Sequence, residues 1–143
     1  MPTSTHLFDQ GPLIYLRYEG QMTGAEMVAS SRDVARLRAE RDGLSVLVDL
    51  SRVTGTALNY SRMSRTVARM NALFHPARDG VPQLTIIWAP GDLAYGMARM
   101  FEAISPDELR TVRVLRDQDA VLTHWPNHRA NLQDLIASPS PLT

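Results

Sequence analysis

The chain has 143 residues, 44% of them hydrophobic, with 15 basic and 15 acidic side chains that cancel to a formal charge of zero, and no cysteine. That length suits one domain able to bury its own core. Zero net charge removes the electrostatic footprint of a nucleic-acid or anionic-membrane binder, and the lack of cysteine excludes disulfides, thiolate nucleophiles and thiolate metal sites. The sequence contains no lysine, a bias that GC-rich coding explains without any special guanidinium chemistry. No apolar run approaches the roughly 18–20 residues of a membrane span, and Met1-Pro-Thr-Ser-Thr-His6 lacks the basic flank of a signal peptide. The expectation is a cytoplasmic protein without membrane insertion.

In chain order, His6–Asp9 and Leu13–Tyr18 read as two strands joined by a bend at Gln10-Gly11-Pro12. Thr23-Gly-Ala-Glu26 has capping-box spacing and starts a helix whose Ala25, Val28, Ser31, Ala35 and Leu37 share one face, ended by Asp42-Gly43. Leu44-Ser-Val-Leu-Val-Asp49-Leu50 is nearly continuous in apolar residues, as a strand covered on both faces requires. The small and polar segment Leu50–Asn59 reads as a loop.

A second helix follows, with Met63, Val67, Met70 and Phe74 inward and Arg62, Arg65 and Arg69 outward, stopped by His75-Pro76 and Asp79-Gly80. Leu84–Trp88 repeats the buried-strand pattern. Pro90-Gly91 then leads to Asp92 as N-cap of a helix with Leu93, Met97, Phe101 and Ile104 as its apolar stripe. Ser105-Pro106-Asp107-Glu108 allows one turn before a last strand, Thr111–Leu115. Asp117 caps a helix carrying Ala120, Val121 and Trp125, Pro126 breaks it, and a final stretch brings Leu132, Leu135 and Ile136 back onto the domain. The order β-β-α-β-α-β-α-β-α predicts an α/β fold with a single mixed, mostly parallel sheet of about five strands and about four helices. One domain is expected over residues 1–137, with 138–143 as a flexible tail.

That order, with Val48-Asp49-Leu50-Ser51 and the run Tyr95-Gly-Met-Ala-Arg-Met-Phe101 leading to Val112-Arg-Val-Leu-Arg-Asp117, resembles the STAS-like bacterial domains related to the sporulation anti-sigma-factor antagonist. The likeness covers most of the chain. It is strongest to the small stand-alone members, grouped by fold with lipid-transfer CRAL-TRIO domains, and its motifs are mainly structural. The resemblance implies a regulatory domain without catalytic residues that works by protein association. In the antagonist branch an Asp-Ser-Ser-Gly-like turn presents a phosphorylated serine at a helix N-terminus. Here the corresponding segment, Thr54-Gly-Thr-Ala-Leu-Asn-Tyr-Ser61, lacks the acid-serine pair, so the resemblance points only to Ser61, which capping preference explains more simply.

Asp49, ending a buried strand, could serve as a base or cation ligand, but a base needs a positioned partner and room for substrate, and Ser51 supplies neither. Accepting hydrogen bonds from the following loop is the simpler role. Asp92 reads as a cap. His124 and His128 have metal-ligand spacing, but Pro126 lies between them and no third ligand is near, so no metal and no cofactor is expected. There is no nucleophile elbow, dinucleotide fingerprint or phosphate loop. Met63, Met70, Met97 and Met100 fall on two neighbouring helices, as core filler or as the wall of an apolar pocket near Trp88 and Tyr95. The candidate ligand- or partner-binding residues are Asp49, Ser51, Asn59, Ser61, Trp88, Asp92 and Tyr95. The preferred role is a regulatory protein-interaction domain, as a homodimer or with a small protein partner. The alternative is a small-molecule or lipid-binding domain with its pocket between helices and sheet.

Overall fold

The two near-continuous apolar runs become adjacent central strands of one sheet. The computed structural model describes residues 3–8, 13–41, 43–74, 83–105 and 110–139. Its elements are β1 (Thr3–Phe8), β2 (Leu13–Met22), α1 (Gly24–Glu40), β3 (Ser45–Thr56), α2 (Tyr60–Asn71), β4 (Gln83–Trp88), α3 (Asp92–Ile104), β5 (Arg110–Leu115), α4 (Gln118–Leu122), a 3-10 turn at Pro126–His128, and α5 (Arg129–Ala137). The five strands lie in the order β1-β2-β3-β4-β5. β1 runs antiparallel to β2, pairing Phe8 with Leu13, and the other three pairs are parallel. This is the mixed, mostly parallel α/β sheet expected. The bend at Gln10–Pro12 and the helix stops at Asp42, His75-Pro76 and Asp79-Gly80 lie outside the described residues, as does the turn at Pro106–Glu108.

Each crossover from β2 to β5 steps one strand over in the same direction. Right-handed crossovers therefore place α1, α2 and α3 on one face of the sheet. There Leu16, Val46 and Ile87 meet Met27, Met63 and Phe101. The opposite face would be bare without the C-terminal elements: Tyr15, Leu47, Ile86 and Trp88 pack against Val121 and Leu122 of α4 and Leu132 of α5. Alternate residues of each strand thus serve two separate cores.

Several elements differ from the sequence reading. β2 and β3 continue past the expected strand ends to Met22 and Thr56, and the segment read as a loop from Leu50 is strand over most of its length. Its composition is weakly strand-forming, but β2 offers a backbone partner, and pairing overrides propensity. The arm is irregular: register shifts fall on either side of Glu19–Gly20, and Gly20 has φ +68°, the left-handed conformation a bulge needs.

The Thr23 cap is as expected, its hydroxyl accepting from the Glu26 backbone N–H at 3.2 Å. The buried face of α1 is Met27, Val28, Ser30, Ser31 and Val34, and Ala25 is exposed. α1 begins hard against α2: a Cβ on Gly24 would lie 2.6 Å from Thr66 Oγ1, which sets the helix rotation and turns Ala25 outward. In α3 the N-cap is Gly91, and Asp92 is already the first helical residue. The inward stripe is Ala94, Met97, Ala98 and Phe101, and Leu93, one position off it, is 50% exposed. Asp117 caps α4 as expected, accepting from Ala120 N–H at 3.1 Å, and Pro126 separates α4 from α5. No helix among the described residues is long and apolar enough to cross a membrane.

Candidate functional site

Asp49 lies at the carboxyl end of the sheet's centre, level with Arg17 on β2 and Trp88 on β4, and has no exposed surface. One carboxylate oxygen accepts from the Ser51 backbone N–H at 2.8 Å and from the Ser51 hydroxyl at 2.6 Å. The other accepts from the Tyr15 hydroxyl. Both oxygens are occupied and no solvent reaches them, so Asp49 has no face for a substrate. Tyr15 is held neutral: burial, and then the adjacent Asp49 charge, push its phenol well above the ordinary range.

Arg17 completes this network. It is fully buried, its Nε donates to the Tyr15 hydroxyl at 3.2 Å, and its two terminal nitrogens donate to the backbone carbonyls of Ser138, at 3.1 Å, and Leu135. Arg52 joins it, donating to the carbonyls of Ile136 at 3.0 Å and Ser138 at 2.6 Å, with Glu19 3.4 Å away. Two guanidinium groups thus cap the carbonyl end of α5, where the helix dipole is negative. The expected tail residue Ser138 has its carbonyl inside this clamp, and 140–143 lie outside the described residues. The Asp49 cluster therefore pins α5 to the sheet.

The remaining candidates divide into two groups elsewhere. Asp92 and Tyr95 meet at the start of α3 around Arg116, which donates to Asp92 Oδ1 at 2.6 Å and to the Pro90 carbonyl at 2.9 Å and lies 4.8 Å from the Tyr95 ring centroid. Asn59 is the N-cap of α2, accepting from Arg62 N–H at 2.9 Å, while Ser61 is exposed in the first turn and caps nothing. The cap assigned to Ser61 as its simplest role belongs to Asn59. Trp88 is buried on the α5 face, its Nε1 donating to the Arg116 carbonyl at 3.1 Å. His124 turns its ring nitrogen to the Ala120 carbonyl and His128 packs on Phe8. Among the described residues no group of three or more His, Asp and Glu is arranged to hold a metal.

On the other face lies a cavity of about 70 Å³ between the sheet and α1, α2 and α3. A single water needs roughly 10–15 Å³ on the same measure, so the space is several times larger than one solvent molecule. Of the four methionines singled out by spacing, Met63, Met70 and Met97 line it and Met100 does not, and Met22 from β2 and Met27 from α1 join them. Trp88 and Tyr95 do not: the first points to the opposite core and the second sits under Arg116. Besides Ser31 of α1, polar groups line the cavity in two pairs. Tyr18 and Ser30 bond to each other near the carboxyl end of the strands, and Ser30 also donates to the Met27 carbonyl at 3.1 Å. Burial, with a smaller push from the Glu26 charge, raises the Tyr18 phenol well above its ordinary range, against the pull of the Ser30 hydrogen bond. At the opposite end, where β4 begins, Gln83 Nε2 donates to Thr85 Oγ1 at 3.1 Å while Oε1 has no partner among the described residues.

The crystal structure of an uncharacterized protein from the DUF3478 family, from Shewanella loihica PV-4, described as having a SpoIIAA-like fold, is similar to this chain with a TM-score of 0.53 over 85% of this chain and 90% of that one. The fold is SpoIIAA-like. At 12% identity the likeness carries the backbone arrangement and no side-chain function, and it agrees with the STAS-like architecture expected from the sequence. No family model and no curated protein matches the chain.

In this SpoIIAA-like domain the residues that organise the two faces are largely ones the sequence reading passed over. Arg17 stands out as a cation in the apolar strand Leu13–Tyr18, two residues from Tyr15 and so on its face of the sheet. That alternation was the available signal. Arg52 and Gln83 gave none, because their roles depend on α5 and on the helices that close the cavity.

Proposed function

We propose that the domain is a non-enzymatic binding module that takes up a small apolar molecule between α1–α3 and the sheet. The observation that supports this is the cavity itself: interiors ordinarily pack to the density of organic crystals, and a void of this size walled by methionines is one that adaptable side chains can shape around a guest. The Asp49 cluster is closed to substrate, which favours binding over catalysis. The test is NMR of protein carrying labelled methionine methyls. Xenon or a small hydrocarbon is expected to shift Met63, Met70 and Met97 together. Methyl signals that stay in place at saturating xenon would refute the reading.

A regulatory protein-interaction role is the second reading, favoured by a different observation. Tyr60, 68% exposed, and Leu93, 50% exposed, are the large hydrophobic side chains left in solvent among the described residues. Both sit in the first turn of helices that start after strand carboxyl ends, so they belong to the same end of the sheet. A homodimer or a small protein partner would cover them there, and a neutral chain offers little repulsion between copies. Light scattering at tens of micromolar tests the homodimer, and a monomer mass would remove it.

A further inference from the structure

We propose that the ligand of this cavity is an uncharged amphiphile, a hydrocarbon body carrying one hydroxyl, whose hydroxyl seats on Gln83. The inference rests on the cavity-binding reading and adds to it the chemical class of the guest. Gln83 is 94% buried, at 6% relative exposure, and one atom of its amide has no hydrogen-bond partner among the described residues. A buried amide left half-satisfied is costly, and native proteins rarely leave one without a reason.

The chemistry of that group selects the guest. Thr85 can donate or accept, so turning the Gln83 amide over exchanges which atom Thr85 holds but still leaves one atom open. A hydroxyl, both donor and acceptor, satisfies either arrangement, whereas an ether or ketone satisfies only one. A charged head is disfavoured because every described side chain lining the cavity is uncharged, so a carboxylate or ammonium would lose its hydration without gaining a counter-charge. The opposite end makes no such demand: Tyr18 and Ser30 satisfy each other. The hydroxyl therefore lies toward the start of β4, and the hydrocarbon runs toward Met63 and Met27.

Three probes of equal carbon number, 1-pentanol, n-pentane and pentanoate at pH 7, test this on the whole chain with labelled methionine methyls. In wild type, 1-pentanol and n-pentane are expected to bind and pentanoate to leave the methyls unmoved. Gln83→Met, close in volume, is expected to weaken 1-pentanol about tenfold, the worth of one hydrogen bond, while n-pentane changes by less than about threefold. A second variant, Thr85→Val, keeps the amide but removes the hydroxyl that orients it, and is expected to weaken 1-pentanol selectively but by less. Equal loss of both probes in Gln83→Met, or an unchanged 1-pentanol affinity because only water occupies Gln83, would overturn the assignment while leaving the cavity a binding site. Pentanoate binding as tightly as 1-pentanol would also overturn it. If neither 1-pentanol nor n-pentane binds wild type, the cavity reading fails and this assignment with it.

Discussion

Replacing Arg17 by methionine tests whether the Asp49 cluster is a unit that holds α5. The guanidinium is fully buried and gives two hydrogen bonds to the carbonyls of Leu135 and Ser138 and one to Tyr15, which in turn donates to Asp49. Methionine fills much of the same volume without the charge. Each charged hydrogen bond contributes about 1.5–3 kcal/mol. Against this, the cation's desolvation penalty is relieved, and removing one member of a buried ionic set typically costs about 3–5 kcal/mol in total. The lower end applies here, because Arg52 still holds the Ser138 carbonyl and the Ser138 N–H still reaches Leu135. We therefore expect Arg17→Met to lower unfolding stability by about 3 kcal/mol in urea titrations, with little change in slope. Asp49→Asn alone should also destabilise, since it leaves a buried cation without its relayed counter-charge. The double variant should cost at least about 1 kcal/mol less than the sum of the two singles. Amide exchange should accelerate in α5 before the sheet. A loss below about 1 kcal/mol for Arg17→Met, or additivity within roughly 0.5 kcal/mol, would refute the coupled-cluster argument.

The other stability predictions are local. Asn59→Ala should cost about 1 kcal/mol by removing the α2 cap, whereas Ser61→Ala should stay within about 0.5 kcal/mol, as thermal unfolding of the two variants would show. Gly20→Ala forces a side chain into the left-handed region and should cost about 1–2 kcal/mol, read from its urea midpoint. Tyr15 and Tyr18 both have phenols raised by burial, so the folded state keeps protons that the unfolded chain releases above about pH 10. Their contribution is complete below that pH and is lost as the pH rises, by up to about 1.4 kcal/mol per unit for each tyrosine. Denaturant titrations between pH 9 and 11 should show this fall, and Tyr18→Phe should make it shallower.

How much could be read from the sequence depended on whether the signal was local. Continuous apolar runs marked β3 and β4 because a strand covered on both faces needs nothing else, and the Thr23 and Asp117 caps are written in three or four residues. The strand extension to Thr56 was hidden because Ser51–Thr56 is held by β2, more than thirty residues away in sequence. The single-position errors at Ala25 and Leu93 arose where a glycine sets the start of the helix: close approach of Gly24 to Thr66 in one case, Gly91 as the cap in the other. Asp49 does accept from the backbone of the following segment, at Ser51, as read from the sequence, but its partner Tyr15, and Arg17 behind Tyr15, required knowing that β2 and β3 are neighbours in register.

Topology also decides where a guest can sit. In open α/β sheets ligands gather at strand carboxyl ends where the strand order reverses, because helices leaving on opposite faces open a crevice there. From β2 to β5 this sheet never reverses, and α1, α2 and α3 all lie on one face, so there is no such crevice and the carboxyl end is filled by the Arg17–Tyr15–Asp49 cluster under α5. Three helices packed side by side over one twisted face must also cover it with a limited set of side chains. Here that set includes five methionines and small residues such as Ala98 and Ser31, and the sheet contributes Val46, Val48 and Thr85 beside larger groups such as Leu16, Tyr18 and Ile87. The cavity is thus the counterpart of the clamp: hydrogen bonds from Arg17 and Arg52 tie α5 to one face, while the methionine-rich wall on the other leaves room. A ligand that enters therefore has to displace methionine methyls rather than unpin α5, and Arg17→Met should weaken the fold without changing 1-pentanol affinity at temperatures where the variant remains folded. A parallel loss of affinity would mean the two faces are coupled through the sheet.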